Sequence, residues 1–260
     1  MPKKNQSETY LCIYDLHYPF HHKPTFDAAL DFLSQNKVDG FLFGGDQFDN
    51  QEISPHNRGK GIYKLPGSYR KNTEGFERDI LRKLEPALSK EAEKIYILGN
   101  HCDWEFQLVE RHPELQGTIE RPLLLSLEER GWNVVQCGQS YKHGKLTFIH
   151  GETLTGVGNQ ASQYHAKKAV ESYCSSVLYG HLHSPQSYTK VLPHDETEKW
   201  MAECAPGACE VNPTYLRNRP TAWVNGLVIV EFHPNGNFNI HGCVVSNGKF
   251  AYGGKIYGSK

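Results

Sequence analysis

Five short stretches of this chain carry side chains able to hold a divalent cation: Asp15-Leu16-His17, Asp46 with Asp49, Asn100-His101, His150, and His181-Leu182-His183. Mixed Asp, Asn and His donors suit hard or borderline ions such as Mn2+, Fe2+, Zn2+ or Ni2+, with Mn2+ the first expectation. There are too many ligand-type side chains for one tetrahedral ion. Two ions sharing a carboxylate would use them. A pair of this kind stabilises the attacking and leaving oxygens of a phosphoryl displacement, and it lowers the pKa of a bridging water so that hydroxide is available near neutral pH.

The elements that must position these groups are legible around them. Each stretch follows a short apolar run that reads as a buried strand, at 10–14, 41–43, 95–98, 146–149 and 176–179. In extended chain, residues i and i+2 face one side, so Asp15 and His17 can reach one ion while Leu16 packs the other way, and His181 and His183 repeat the pattern. Gly44-Gly45, Gly99 and Gly180 let the backbone turn and come close to whatever the donors hold. Between the first two runs, Phe26, Ala29, Leu30 and Leu33 recur at helical spacing. A strand-helix-strand unit makes its strands parallel and puts Asp15 and Asp46 at the same C-terminal sheet edge, where ligands bind in open α/β sheets.

Further helices are expected over 72–89, 104–112 and 121–130, and one ending at Tyr173. Residues 186–255 read as mostly β, with a hairpin signal at Pro234-Asn235-Gly236. This part is expected to complete a second sheet within a single domain spanning 8–255.

Residues 51–73 break every period and read as a long basic insertion loop. Arg58, Lys60, Lys64, Arg70 and Lys71 lie there with Tyr63 and Tyr69, and no acidic residue stands between Glu52 and Glu74. Cations interleaved with aromatics suit a phosphodiester backbone and exposed bases, as in DNA or RNA, although a solvated surface loop has the same composition. A formal net charge of −1 gives no global attraction to nucleic acid or membrane, so any such attraction is local. No run reaches the ~18 to 20 apolar residues of a membrane span, and the first ten residues lack the apolar core of a signal peptide, so a cytoplasmic location is expected. Seven cysteines without C-x-x-C spacing suggest neither a disulfide framework nor a zinc knuckle.

In order, the motifs DLH, GGDQFD, GNH, HG and GHLH resemble those of the calcineurin-like metallophosphoesterase superfamily, over residues 15–183. The resemblance implies an α/β fold, a four-layer αββα sandwich of two mixed β-sheets flanked by helices. It implies that Asp15, His17 and His183 hold one metal, that Asn100, His150 and His181 hold the other, and that Asp46 bridges both. It also implies that His101 contacts the phosphoryl group and protonates the leaving oxygen, oriented by the Asp49 carboxylate.

Two departures stand out. Cys102 occupies the place where Asp or Glu often follows the Asn-His pair, with Asp103 one position later. Asn50 stands where the protein Ser/Thr phosphatase branch has Arg, which removes the usual bidentate donor for a phosphomonoester dianion. The expectation is therefore a phosphodiesterase acting on nucleic acid or nucleotides. Its rivals are a phosphomonoesterase on nucleotides or phosphoproteins, and a non-catalytic scaffold that keeps the fold to bind protein.

Overall fold

The computed structural model describes residues 6–61, 68–154, 164–192, 195–212 and 221–258. The first strand, β1 (Glu8–Ile13), shows why the architecture is layered. Leu11 and Ile13 enter one apolar cluster, whereas Tyr10 and Cys12, with Tyr14 just beyond, enter another. A strand buried on both faces needs a layer on each side.

One sheet is built outward from β1. It pairs parallel with β2 (Gly40–Gly44), which pairs parallel with β3 (Glu93–Ile97) and then β4 (Trp132–Val135). On the other side of β1 lie β10 (Gly226–Phe232) and β11 (Phe238–Val244), both antiparallel to their neighbours. The second sheet runs in the order β5 (Tyr141–His143), β6 (Leu146–Phe148), β7 (Ser176–Tyr179), β9 (Asp195–Cys204), β8 (Gln186–Leu192). Its inner pairs are parallel and its outer pairs antiparallel.

Both sheets are thus mixed. Between them Tyr10, Cys12, Leu42, Ile95 and Ile97 meet Leu146, Phe148 and Leu178. Outside the first sheet lie α1 (Lys23–Gln35) and α2 (Ser68–Phe76), the latter continuing through a π-helical stretch, Glu77–Leu81, into α3 (Arg82–Leu84). α6 (His165–Tyr173) covers the second sheet through Ala166, Ala169 and Val170. The result is the four-layer helix-sheet-sheet-helix sandwich.

The segment 186–255 does not go to one sheet. β8 and β9 extend the second, but β10 and β11 join the first, and β12 (Phe250–Tyr252) with β13 (Lys255–Tyr257) forms a separate hairpin whose Phe250 and Tyr257 rings pack on Phe32 of α1. The physical reason lies in β10, where Leu227 and Ile229 face one core and Val228 and Val230 the other. Such a strand needs an interior position, and the edge of β1 supplies it while covering backbone groups that would otherwise be exposed.

Helix boundaries also differ from the periodicity. α2 starts at Ser68, so Arg70 and Lys71 stand on a helix and not in a loop. α4 (Asn100–Arg111) begins directly at the Asn-His pair, and α5 (Arg121–Leu124) is a single turn where a longer helix was expected. The seven cysteines are free thiols. Among the described residues no helix is long and apolar enough to cross a membrane.

Candidate metal centre

The loops that follow β1, β2, β3, β6 and β7 converge at one end of the sandwich. Asp15, His17, Asp46, His181 and His183, together with Asn50, are held at φ between 48° and 66°, and they make up six of the nine non-glycine positive-φ residues described. Left-handed backbone costs about 1 kcal/mol or more per residue, and such strain gathers where function requires it. Hydrogen bonds between the loops hold it in place: Asp15 N donates to the Gly45 carbonyl (3.1 Å) and His17 N to the Asp46 carbonyl (2.8 Å). Two motif glycines make room for donors from other strands. A methyl group on Gly45 would overlap the His150 ring, and one on Gly99 would overlap the Asp46 carboxylate.

The imidazoles are fixed from behind. His150 Nδ1 donates to the Gly44 carbonyl (3.0 Å), which leaves Nε2 facing Asp46 Oδ2 and Asn100 Oδ1, each at 3.1 Å. His17 Nδ1 donates to Asp49 Oδ1 (3.1 Å), leaving its Nε2 3.8 Å from Asp46 Oδ2. His183 Nε2 lies 3.3 Å from Asp15 Oδ1. Asp15 Oδ2 accepts the His181 backbone N–H (2.9 Å). Outer partners of this kind set the tautomer and aim the inner nitrogen, as they do in metal sites.

Five of these residues form two compact groups, Asp15-His17-Asp46 and Asp46-His150-His181, with Asp46 common to both. Asp15 Oδ1 and His17 Nε2 are buried and accept no hydrogen bond from the described residues. Buried polar atoms normally have partners. Carboxylates and imidazoles converging in two groups, with orphaned acceptors among them, fit a pair of divalent ions.

Charge at the centre follows from burial and proximity. Burial alone would raise the Asp46 carboxyl, but His150, His101 and His17 around it hold it well below the usual range. His150 is pushed the other way: burial lowers it, and Asp46 and then Asp15 raise it to about 10. His181 falls to about 4, through burial and then the neighbouring His150. In the metal-free protein the raised His150 therefore stabilises the fold fully below about pH 6.5, an effect lost as the pH climbs through 10. An ion held through His150 would have to displace that proton. Cation affinity should rise steadily from pH 6 to 9, with protons released on loading. Calorimetry in two buffers of different protonation enthalpy measures the release, and a count of zero would contradict the assignment.

His101 and Asp49 are brought together, though not as the resemblance implied. The Asp49 carboxylate serves His17, while its backbone carbonyl accepts His101 Nδ1–H at 2.7 Å and its Oδ1 stays 4.0 Å from that ring. A loop carbonyl can do the orienting here because α4 starts at Asn100 and sets His101 against the Asp49 main chain. The other His101 nitrogen, Nε2, faces the centre, 4.0 Å from Asp46 Oδ2. Trp104 packs on the His101 ring (centroids 4.2 Å) and is itself buried. The Cys102 thiol donates to Gln47 Oε1 at 3.3 Å.

Three contributors escaped the sequence. Cys209 lies 3.3 Å from His183 Nδ1, and Trp223 covers the same imidazole with centroids 4.3 Å apart. Arg121 is buried behind Asn50. None stands near a motif, so no local signal pointed to them.

The five basic candidates divide. Arg58, Lys60 and Lys71 are exposed, and Lys60 Nζ donates to Asn57 Oδ1 (3.1 Å). Arg70 is paired with Glu74 at 2.7 Å. Lys64 and Tyr63 lie outside the described residues. The Tyr69 ring covers Arg121, with 3.8 Å from guanidinium carbon to ring centroid, so it is not presented to a base. His56, in the turn Pro55–Asn57, touches Trp104 (centroids 5.9 Å), which brings the start of the basic segment beside His101.

An αββα sandwich with Asp, Asn and His donors gathered at its strand ends defines a metal-dependent phosphoester hydrolase. The chain belongs to the calcineurin-like phosphoesterases, whose family it matches over residues 9–226. Among solved structures it is similar to a variant of Vps29 from Entamoeba histolytica (15% identity, 97% of this chain and 99% of that one, TM-score 0.47). It is also similar to a metallophosphoesterase from Sphaerobacter thermophilus (17% identity, 93% and 89%, TM-score 0.42). A search of curated proteins finds no match. The family membership carries the functional reading, and these distant likenesses add nothing to it.

Proposed function

We propose that the protein is a phosphodiesterase acting on nucleic acid or nucleotides. Asp15, His17 and His183 would hold one divalent ion, Asn100, His150 and His181 a second, and Asp46 both, with Mn2+ the favoured metal for this donor set. When bound, such a pair activates water and neutralises charge on the phosphoryl group.

The chain's own groups do the rest. Asp49's carbonyl fixes the His101 tautomer, so Nε2 is the atom that carries a proton to the leaving oxygen. Burial lowers the His101 pKa despite the nearby Asp46 and Asp49 charges, so the imidazole is neutral until an anionic phosphoryl group arrives beside it and favours its protonated form.

One observation carries the choice of diester. Asn50 is buried and its amide is turned to the His101 carbonyl (2.8 Å) and to Glu105 (3.0 Å), so no cation reaches a phosphate dianion from this position. The exposed Arg58, Lys60 and Lys71 support a polyanionic substrate. With Mn2+ supplied, turnover of a bis-aryl phosphodiester should exceed that of the matching monoester; the reverse order would favour a phosphomonoesterase. Neutralising Arg58, Lys60, Lys64 and Lys71 together should cut activity on DNA or RNA at least tenfold at physiological salt and leave the small diester unaffected. Equal losses on both would show that the segment does not contact polymer.

A further inference from the structure

Arg121 is among the largest fully buried side chains of the described residues, with 1% of its surface exposed. It lies between the Phe48 ring (3.9 Å) and the Tyr69 ring (3.8 Å). Its Nη1 donates to Asn50 Oδ1 and to Glu105 Oε1 (2.9 Å), Nε to Thr73 Oγ1 (3.0 Å) and Nη2 to Glu52 Oε1 (3.3 Å). The second Glu105 oxygen accepts Arg121's own backbone N–H at 2.8 Å. A guanidinium so fully engaged cannot also clamp a phosphate.

Packing alone does not call for this residue. Removing two charges from water is costly, and apolar side chains of similar volume often replace buried ion pairs with no loss of stability. The network has a direction, however. Because Asn50 Oδ1 is taken by Arg121, the amide must aim Nδ2 at the His101 carbonyl (2.8 Å) and Glu105 Oε1 (3.0 Å). Asn50 has φ of 54° and directly follows Asp49, whose carbonyl accepts His101 Nδ1–H. The Asp49-Asn50 pair therefore grips His101 twice, by the ring and by the main chain, and Arg121 holds Asn50 in its left-handed conformation.

We propose that Arg121 is a positioning residue for the His101 imidazole, acting through Asn50 and the Asp49 carbonyl. The inference rests on the reading of His101 as the proton donor. A misplaced donor matters most when the leaving group is a strong base and little when it departs unaided.

The experiment uses two substrates that share a thymidine 5′-phosphate arm, one with a 4-nitrophenolate leaving group and one with the 3′-hydroxyl arm of a second thymidine. Arg121→Met fills the slot between the rings without the fork of donors. It should lower kcat on the dinucleotide about 10- to 100-fold, leave KM unchanged, and alter the nitrophenyl ester less than about threefold, at unchanged metal content. Arg121→Lys keeps a charge opposite Glu105, and so folds if the methionine variant does not. One ammonium cannot serve Glu105, Asn50 and Thr73 together, so the same split should appear, smaller.

His101→Ala is the control. If it shows no dependence on leaving group, the reading of His101 fails. If it shows the split while both Arg121 variants lower the two substrates equally, or lose metal, then positioning by Arg121 is overturned and the reading of His101 stands.

Discussion

Asp46→Asn should keep the fold and lose the ions. Asp46 Oδ1 accepts the His101 backbone N–H at 2.9 Å, a bond that an amide oxygen can still make. Oδ2 is the atom that counts. It lies 3.1 Å from His150 Nε2, 3.8 Å from His17 Nε2 and 4.0 Å from His101 Nε2, and Asp46 is common to both donor groups. An NH2 there has no lone pair and no charge to offer.

Loss of an outer-shell partner alone commonly costs 10- to 100-fold in metal affinity, so loss of the shared carboxylate should cost at least ~100-fold, with turnover falling in step. Metal content after dialysis reads the first and diester hydrolysis the second. A variant that retains two ions would refute the role of Asp46. Without metal the sign is equally definite: Asp46 raises His150 to about 10, so the variant should be less stable than the parent below about pH 6.5, with the difference shrinking as the pH rises toward 10.

Gly99→Ala should do comparable damage by a different route. Gly99 has φ of −94°, which any residue can adopt, so conformation is not the obstacle. Space is. Its Cβ would overlap Asp46 Oδ1 and come within 2.5 Å of Asp46 N, a carboxylate and a backbone atom with nowhere to retreat. Overpacking of this kind costs about 1–3 kcal/mol. In a chain this long that lowers Tm by roughly 2–10 °C.

The same displacement moves the shared carboxylate, so the rise in Tm on adding Mn2+ should shrink as well. Gly61→Ala is the matched control, because no described residue lies within 4 Å of its Cβ position. Melting curves with and without metal separate the two. Gly99→Ala with the parent's metal-induced increment would show that Asp46 is not constrained from that side.

The donors were legible because their signal is local. Each sits at the end of an apolar run, and the i, i+2 spacing of Asp15 with His17 and of His181 with His183 is a property of extended chain. The partners of those donors were not. Arg121 reaches Asn50 across more than seventy positions, and Cys209 and Trp223 reach His183 from beyond the last motif.

Nor can spacing tell a side chain from the carbonyl of the same residue, which is why Asp49 was expected to orient His101 with its carboxylate and does so with its main chain. The hairpin of β10 and β11 was readable from its turn, but two sheets offered it an edge, and only tertiary packing chose β1. The early start of α2 was hidden because its buried residues Thr73 and Gly75 are not strongly apolar, and because Tyr69 spends its ring on a buried cation.

The left-handed backbone at Asp15, His17, Asp46, Asn50, His181 and His183 reaches beyond catalysis to how much protein a cell contains. Together these residues store strain on the order of 6 kcal/mol, similar to the whole folding stability of many domains. Ions bound only by the native state offset that strain by mass action. A chain made under metal starvation should therefore spend more time unfolded and be removed faster by chaperone-linked proteolysis, so that metal supply sets its abundance as well as its activity.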